Sequence, residues 1–436
     1  MKLIKYFIIF YLVFNFSNLA YAVTLEECRD LSLRNSKLLE SYANLIASTI
    51  YSNRKDKSAL FPQVSVFYEP DYVQYNNSAD FTRHGFRNKA GLTLSYDIQK
   101  LLANYPQLSN LEIEKSKLIK KAAESEILKN LTQDYYKLYV FLKKKHDYID
   151  AQTYVKEHIQ DIEDMQLKGV DIKLDLIRAQ VQLKSLYIST SNANEEIDNT
   201  LISLNSMMNT EYKESDFSSM DAPDIAALET DQTVFDESLP ENNTEKSYIE
   251  NAEKTVPQKI SDLEQSKIDE FDVKITKEKY RQSKFSYLPS LQAGVEHNAH
   301  TIDPSIEAYR TYLAVNFDLF DFGQRANAQR ELKYSYESQK KLFEETQRKL
   351  KVRVEQLITE LENIQTTYKN ACDNLNNAKN GLDTAKDYYQ QGKIKETDLL
   401  SVFSDYLNVK DQSYESLYNF LSKKAELDSI IKGLEI

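Results

Sequence analysis

Twelve apolar positions in one stretch constrain this chain more than anything else in it. Leu350, Val354, Leu357, Leu361, Ile364, Tyr368, Ala371, Leu375, Ala378, Leu382, Ala385 and Tyr389 are spaced alternately four and three residues apart without a break. That is a heptad seam, and a seam with a 3.5-residue period makes helices supercoil around partners. No proline interrupts it, and only Gly381 weakens it. Helical composition reaches back to about Gln324, which gives a helix on the order of 100 Å long at 1.5 Å per residue. Such a helix needs partners of similar length. With only eight glycines and eight prolines in 436 residues, the chain has few breakers and therefore a few long helices.

The other segments follow one plan, twice. Helical pattern runs from Thr24 to about Leu60, with a break near Asn35, and Thr24 with Glu27 has the spacing of a capping box. Pro62 ends it. Alternation then sets Val64, Val66 and Tyr68 against Gln63, Ser65 and Phe67. A polar turn at Asn76, Asn77 and Ser78 leads to a second alternating run through Leu92, Leu94 and Tyr96. Strands are expected near 62–75 and 88–98. Long helices are expected from about Leu108 to Leu167 and from Lys173 to Met208, separated by Gly169. In the second half, Pro289 matches Pro62, and strands are expected near 289–300 and 308–319. A loop with Asp303 and Pro304 lies between them, and the seam helix, Gly392 and a last helix follow. Gly169 and Gly392 lie 223 residues apart. At that offset Asp175 meets Asp398, Leu176 meets Leu399, Ile197 meets Phe420, Leu204 meets Leu427 and Met208 meets Ile431. A shared seam with shared landmarks reads as a tandem duplication of a helix–strand–strand–helix–helix unit. The first repeat spans 23–210 and the second 251–436. Between them, residues 211–250 hold twelve acidic residues and two lysines, which reads as a linker or an irregular collar, partly solvated.

Composition narrows the function classes. A net charge of -12 argues against nucleic acid as partner. Lys2 and Lys5 precede an apolar run from Tyr6 to Phe14, and Ala20-Tyr21-Ala22 gives a small-x-small cleavage pattern. Residues 1–22 are therefore expected to be a signal peptide, with the mature chain starting at Val23 and no acyl anchor on Cys28. No later segment reaches 18 consecutive apolar residues, so membrane contact is expected from strands rather than helices. Four strands per chain leave two open edges, which lipid forbids; three chains supply twelve strands and close a barrel. The 30 tyrosines and 19 phenylalanines suit an interfacial girdle. The expected fold is an α/β mixed membrane protein. The same threefold arrangement would let the long helices pack side by side into a hollow helical cylinder.

The chain resembles the TolC family of trimeric outer-membrane efflux and secretion channels. The matching pieces are Leu60-Phe61-Pro62-Gln63-Val64 and Tyr287-Leu288-Pro289-Ser290-Leu291 at helix-to-strand joints. Phe317-Asp318-Leu319-Phe320-Asp321-Phe322-Gly323-Gln324-Arg325 matches at a strand-to-helix joint. Tyr389-Gln390-Gln391-Gly392 with Asp398-Leu399-Leu400 matches at the last turn. The resemblance implies a homotrimer with a 12-stranded outer-membrane β-barrel continuous with a long periplasmic α-helical coiled-coil barrel, with residues 211–250 as an acidic equatorial linker. It further implies a passive outer-membrane exit channel of a tripartite efflux pump or type I secretion system. It would be opened by a periplasmic adaptor (membrane fusion) protein and an inner-membrane RND or ABC transporter. A soluble periplasmic coiled-coil adaptor or scaffold is the alternative.

By the same resemblance, Gly169, Asp175, Tyr389, Gly392 and Asp398 lie at the periplasmic entrance. There an Asp175–Tyr389 hydrogen bond would hold the closed twist, and three copies of Asp398 would form an acidic ring. Pro62, Asp97, Pro289, Asp318 and Gly323 mark the strand–helix junctions. The sequence departs from the family at Ile394, where the family carries an arginine, and at Ser401, where it carries a second acid. Asp175 and Asp398 also suit first helical turns on macrodipole grounds alone. His297 and His300 lack the cysteines or acids that would complete a metal site, so a surface loop is expected. Cys372, beside the seam position Ala371, reads as a structural thiol. No nucleophile–base pair or phosphate loop is present, so neither an enzyme nor a cofactor is expected.

Overall fold

The structure, a computed structural model, describes residues 23–76, 82–96, 103, 105–167, 173–217, 220, 260–300, 308–317 and 320–431. The expected signal peptide and most of the acidic linker, with Gly169, Asp97 and Asp318, lie outside them. The elements in order are α1 (Leu25–Asn35), α2 (Lys37–Ser58), β1 (Gln63–Asn76), β2 (Thr82–Tyr96), α3 (Tyr105–Leu167), α4 (Lys173–Met208), α5 (Glu264–Ser283), β3 (Ser290–His300), β4 (Ala308–Asn316), α6 (Gln324–Gln390) and α7 (Glu396–Ile431). The chain divides into two compact units. One comprises Glu40–Ala122 and Glu264–Lys349; the other comprises Met1–Leu39, Ala123–Leu263 and Leu350–Ile436.

The first of these units holds an antiparallel sheet of order β1-β2-β3-β4. The two hairpins, one from each half of the chain, join through β2 and β3, for example Leu92 with Val295 and Leu94 with Ala293. Within the chain β1 and β4 are the sheet's two edges. The pairings sort the two faces. One face carries the rows Val64–Leu94–Ala293–Leu313 and Val66–Leu92–Val295–Thr311, with Tyr68, His297 and Tyr309 in the next row. Val64, Val66, Leu92, Leu94, Val295, Leu313 and Val315 are all exposed on it. The other face is polar. The Ser65 and Thr93 hydroxyls lie 2.5 Å apart. A band of alternating charge crosses all four strands there: Glu69 with Lys89 at 3.9 Å, Lys89 with Glu296 at 3.6 Å and Arg310 with Glu296 at 3.4 Å. Two glycines on this face leave room for rings. A Cβ on Gly91 would lie 2.6 Å from the Phe67 ring and 2.8 Å from the Val295 carbonyl oxygen, and one on Gly294 would lie 2.6 Å from the Tyr312 ring.

The second unit is helical. Thr24 and Glu27 form the reciprocal capping box at the start of α1, and the break after Asn35 separates α1 from α2. Every one of the twelve seam positions of α6 is buried or half-buried. Val354, Leu357, Leu361 and Tyr368 pack against Leu417, Phe420, Leu421, Leu427 and Ile431 of α7. A second cluster sets Leu131, Tyr135 and Leu138 of α3 against Ile197, Leu201, Leu204 and Met208 of α4. Helices α4 and α7 each have 36 residues, and both their starts and their ends lie 223 residues apart. The pairs Ile197/Phe420, Leu204/Leu427 and Met208/Ile431 are buried in both copies. The start of the acidic segment folds onto this unit: Phe217 is buried in the α3–α4 cluster, and Val23 donates its backbone N–H to the Asp216 carbonyl at 3.2 Å. Cys28 is buried, and burial pushes its thiol up to about 12, which makes it an inert packing residue.

Candidate functional site

The tip of the helical unit is built by the residues that end α6 and begin α7. Gly392 has φ +67°, and a Cβ there would meet nothing within 4 Å. Backbone conformation rather than crowding is what asks for glycine. Gly392 N donates to the Tyr389 carbonyl and Lys393 N to the Tyr388 carbonyl, both at 2.8 Å, which closes α6 in a Schellman motif. Asp398 is exposed, and its carboxylate accepts the Lys395 N–H at 3.3 Å, capping the first turn of α7. Asp175, half-buried, stands in the first turn of α4.

The acid that acts most on Tyr389 is Glu396. Burial raises the tyrosine hydroxyl, and the acids that add to the shift are Glu396 first and Asp161 after it. Glu396 opens α7 and is buried, with its Oε1 2.5 Å from His158 Nδ1 of α3; their side chains are 8% and 11% exposed. Neither Glu396 oxygen nor His158 Nδ1 has an aligned hydrogen-bond partner, so the Tyr389 hydroxyl faces this carboxylate without a well-formed bond to it. Aromatic rings enclose the pair. Tyr154 lies 4.4 Å from the His158 ring, Phe403 lies 4.6 Å from Tyr154, and Tyr389 lies 5.9 Å from His158. Lys386 Nζ sits 5.6 Å over the Tyr154 ring. The surrounding cluster is apolar: Val155, Ile162, Ala179, Leu186, Leu382, Leu399 and Leu407.

Sequence reasoning passed over both His158 and Glu396. The signal was available: Ala151, Val155, His158 and Ile162 keep the four-three spacing of an inward helix face, and Glu396, Leu399, Phe403 and Leu407 follow one face at gaps of three, four and four. A polar residue in an apolar register position is a local inconsistency of the kind functional sites carry.

At the strand–helix junctions, Pro62 and Pro289 each stand directly before a strand, where the missing N–H and fixed φ stop the helix. Gly323 has φ +85° and follows Phe322 at φ +52°. Asp321 accepts the backbone N–H groups of Gly323 at 3.0 Å and Arg325 at 3.1 Å, and the Arg325 Nε at 2.6 Å. Arg325 also reaches the Ser286 carbonyl at 3.5 Å and lies 5.1 Å from the Tyr287 ring centre. The guanidinium thus joins the start of α6 to the segment that enters β3, and its hydrogen bond holds the Asp321 carboxyl below the usual range. Phe320 and Phe322 are exposed beside this corner, with ring centres 4.7 Å apart. Among the described residues there is no group of His, Cys, Asp and Glu suited to a metal ion, and no helix long and apolar enough to cross a membrane.

Three comparisons bear on identity. The family described as "Outer membrane efflux protein" matches residues 269–431. No curated protein matches the sequence. Among solved structures, the chain is similar to a membrane protein from Pseudomonas aeruginosa, with TM-score 0.78, 11% identity and coverage of 94% of this chain and 90% of that one. It is similar to the outer membrane channel CmeC of Campylobacter jejuni, with TM-score 0.74, 16% identity and coverage of 94% and 85%. It is also similar to the outer membrane protein VceC of Vibrio cholerae, with TM-score 0.75, 12% identity and coverage of 94% and 96%. At these identities the structures show a shared fold. Residues 269–431 thus match the model of the outer membrane efflux protein family, and the chain as a whole shares its fold with solved outer-membrane channels.

Proposed function

We propose that three copies of this chain form the outer-membrane exit duct of a tripartite efflux pump or a type I secretion system. The sheets supply a closed twelve-stranded barrel, and the helical units supply the periplasmic tunnel. A periplasmic adaptor and an inner-membrane RND or ABC transporter dock at the tip and deliver the substrate. The observation that carries this reading is the sheet, with an exposed apolar face, a polar face and two edges left open within the chain. Water penalises such a sheet, and lipid accepts it only once the edges are paired.

A second observation supports the threefold assembly. Leu174, Ile177, Val181, Ile188 and Ile202 of α4 are exposed and spaced three, four, seven and fourteen residues apart. These positions share one heptad register, whose intervening places hold Lys184, Ser191, Glu195 and Asp198, so the exposed face is apolar in part and suited to contact with the helices of a neighbouring copy. The family match favours this conduit over the soluble adaptor. Both the family and the similar structures are channels rather than enzymes.

Fractionation and conductance test the proposal together. The expected protein stays with outer membranes through a high-salt wash, needs detergent for release, and conducts ions in planar bilayers. Release by salt alone would favour the adaptor.

A further inference from the structure

The charge band on the polar face of the sheet ends with opposite signs at the two edges. Its inner members are Lys89 of β2 and Glu296 of β3. The Glu296 side chain is only 6% exposed and is met by Lys89 at 3.6 Å and by Arg310 at 3.4 Å. The outer members stand on the edge strands and face water: Glu69 of β1 is 59% exposed and Arg310 of β4 is 67% exposed. Asp71, two residues beyond Glu69 on the same face of β1, adds a second acid to that edge. One edge thus offers acids and the other a guanidinium, and a second copy of the chain brings both.

Resting on the threefold reading, we infer that β4 of one copy pairs with β1 of the next at the register that sets Arg310 opposite Asp71, so that the band closes into a ring through ion pairs between copies. The row that leaves Val64 crosses Leu94, Ala293 and Leu313. In a tilted barrel it meets the next β1 further along, and that offset is the stagger of the seam. A slip of one residue would turn the apolar face inward, so the stagger is even. For twelve strands at about 3.3 Å per residue and about 4.8 Å between strands, a stagger of two tilts the strands by about 19°, four by about 35° and six by about 46°. Barrels in lipid tilt by about 35–45°, which selects four. Strand length gives the sense. β1 has 14 residues and β4 has nine. An offset of four toward Asn76 keeps all of β4 beside β1, from Ala308 facing Val73 to Asn316 facing Ser65. The opposite sense would run β4 past Gln63 into the end of α2. Charge agrees with four over six. At four, Arg310 faces Asp71 and has Glu69 on the diagonal; at six it faces Val73 and only Asp71 is diagonal.

Cysteine pairing reads the register without touching the charges. Val315 and Val66, both exposed on the apolar face, face each other at a stagger of four; Val64 takes the place of Val66 at two, and Tyr68 at six. Directly opposite residues have Cα atoms about 4.5–5.5 Å apart, within reach of a disulfide, whereas diagonal ones lie about 7–8 Å apart, beyond it. In the full chain carrying Cys28→Ser and Cys372→Ser, Val315→Cys with Val66→Cys is expected to give covalent trimers in oxidised outer membranes. Their yield should be several-fold above that of Val315→Cys with Val64→Cys or with Tyr68→Cys. In the otherwise unaltered chain, Arg310→Glu should cut the yield of trimer several-fold, and adding Asp71→Arg should restore it. Covalent trimers chiefly from the Val64 or Tyr68 pair overturn the register and leave the channel reading standing. An Arg310→Glu chain that trimerises like the parent, or one that Asp71→Arg does not rescue, overturns the ion pair. Covalent oligomers from none of the three pairs, with the parent trimeric by light scattering, overturn the β4–β1 seam. Should the cysteine chains fail to assemble, the rescue by Asp71→Arg decides. A monomeric parent overturns the channel reading and this seam with it.

Discussion

Leu313→Arg is the perturbation that separates a lipid-facing sheet from one facing water. Leu313 is 73% exposed on the apolar face of β4, in the row shared with Val64, Leu94 and Ala293. It lies midway between Phe317 and Tyr309 along the chain. At about 3.4 Å per residue those two aromatics are roughly 27 Å apart along an extended strand, or about 20 Å along the bilayer normal at a tilt near 40°. Leu313 therefore falls near the middle of the apolar band. An arginine there costs about 2–4 kcal/mol per chain in a bilayer. That is roughly a 30- to 1,000-fold shift in each chain's folding equilibrium. For a sheet in water the same exposed substitution stays within about 0.5 kcal/mol. The control is Ser65→Arg on the polar face, which gives up one hydroxyl contact worth about 0.5–1.5 kcal/mol. The assay is urea unfolding in lipid vesicles, followed by circular dichroism and by gel mobility because the chain has no tryptophan. Leu313→Arg as stable as the parent, or less damaging than Ser65→Arg, refutes the assignment of faces.

Three further outcomes are expected. Leu361→Ala removes a fully buried residue from the α6–α7 seam and should cost about 2–5 kcal/mol in denaturant titration. Gly91→Ala should destabilise the sheet more than Gly294→Ala, within about 1–3 kcal/mol, because it meets a backbone carbonyl as well as a movable ring; paired thermal melts check the order. Asp321 has its carboxyl lowered below the ordinary 3.8 by Arg325, so its contribution is complete above that value and is lost as pH falls below it. Acid melts of the parent should therefore show a loss below about pH 4 that Asp321→Asn reduces.

How far the sequence could be read depended on whether a feature was local and periodic. The seam from Leu350 to Tyr389 is both, and none of its twelve positions is exposed. The 223-residue register compares one copy with the other, and α4 and α7 keep that offset at both their starts and their ends. Strand β2 was harder. It begins at Thr82 rather than near 88, because Arg83, His84, Arg87 and Lys89 interrupt the apolar alternation over its first half. The pairing of β2 with β3 joins residues some two hundred apart, which no local pattern announces. The approach of Glu396 to His158 and Tyr389 was not legible, because chemistry at the tip depends on which helix faces approach, and spacing within one helix does not state that. The Asp321–Arg325 clamp was missed for a similar reason: its reach to Ser286 and Tyr287 depends on the fold of the corner.

The mass of the detergent-solubilised particle tests the central claim most directly. Light scattering corrected for bound detergent should give three times the mass of one chain, with no soluble form in its absence. A monomer stable in plain buffer would contradict the account, because the four strands among the described residues of one chain leave two edges that lipid does not satisfy.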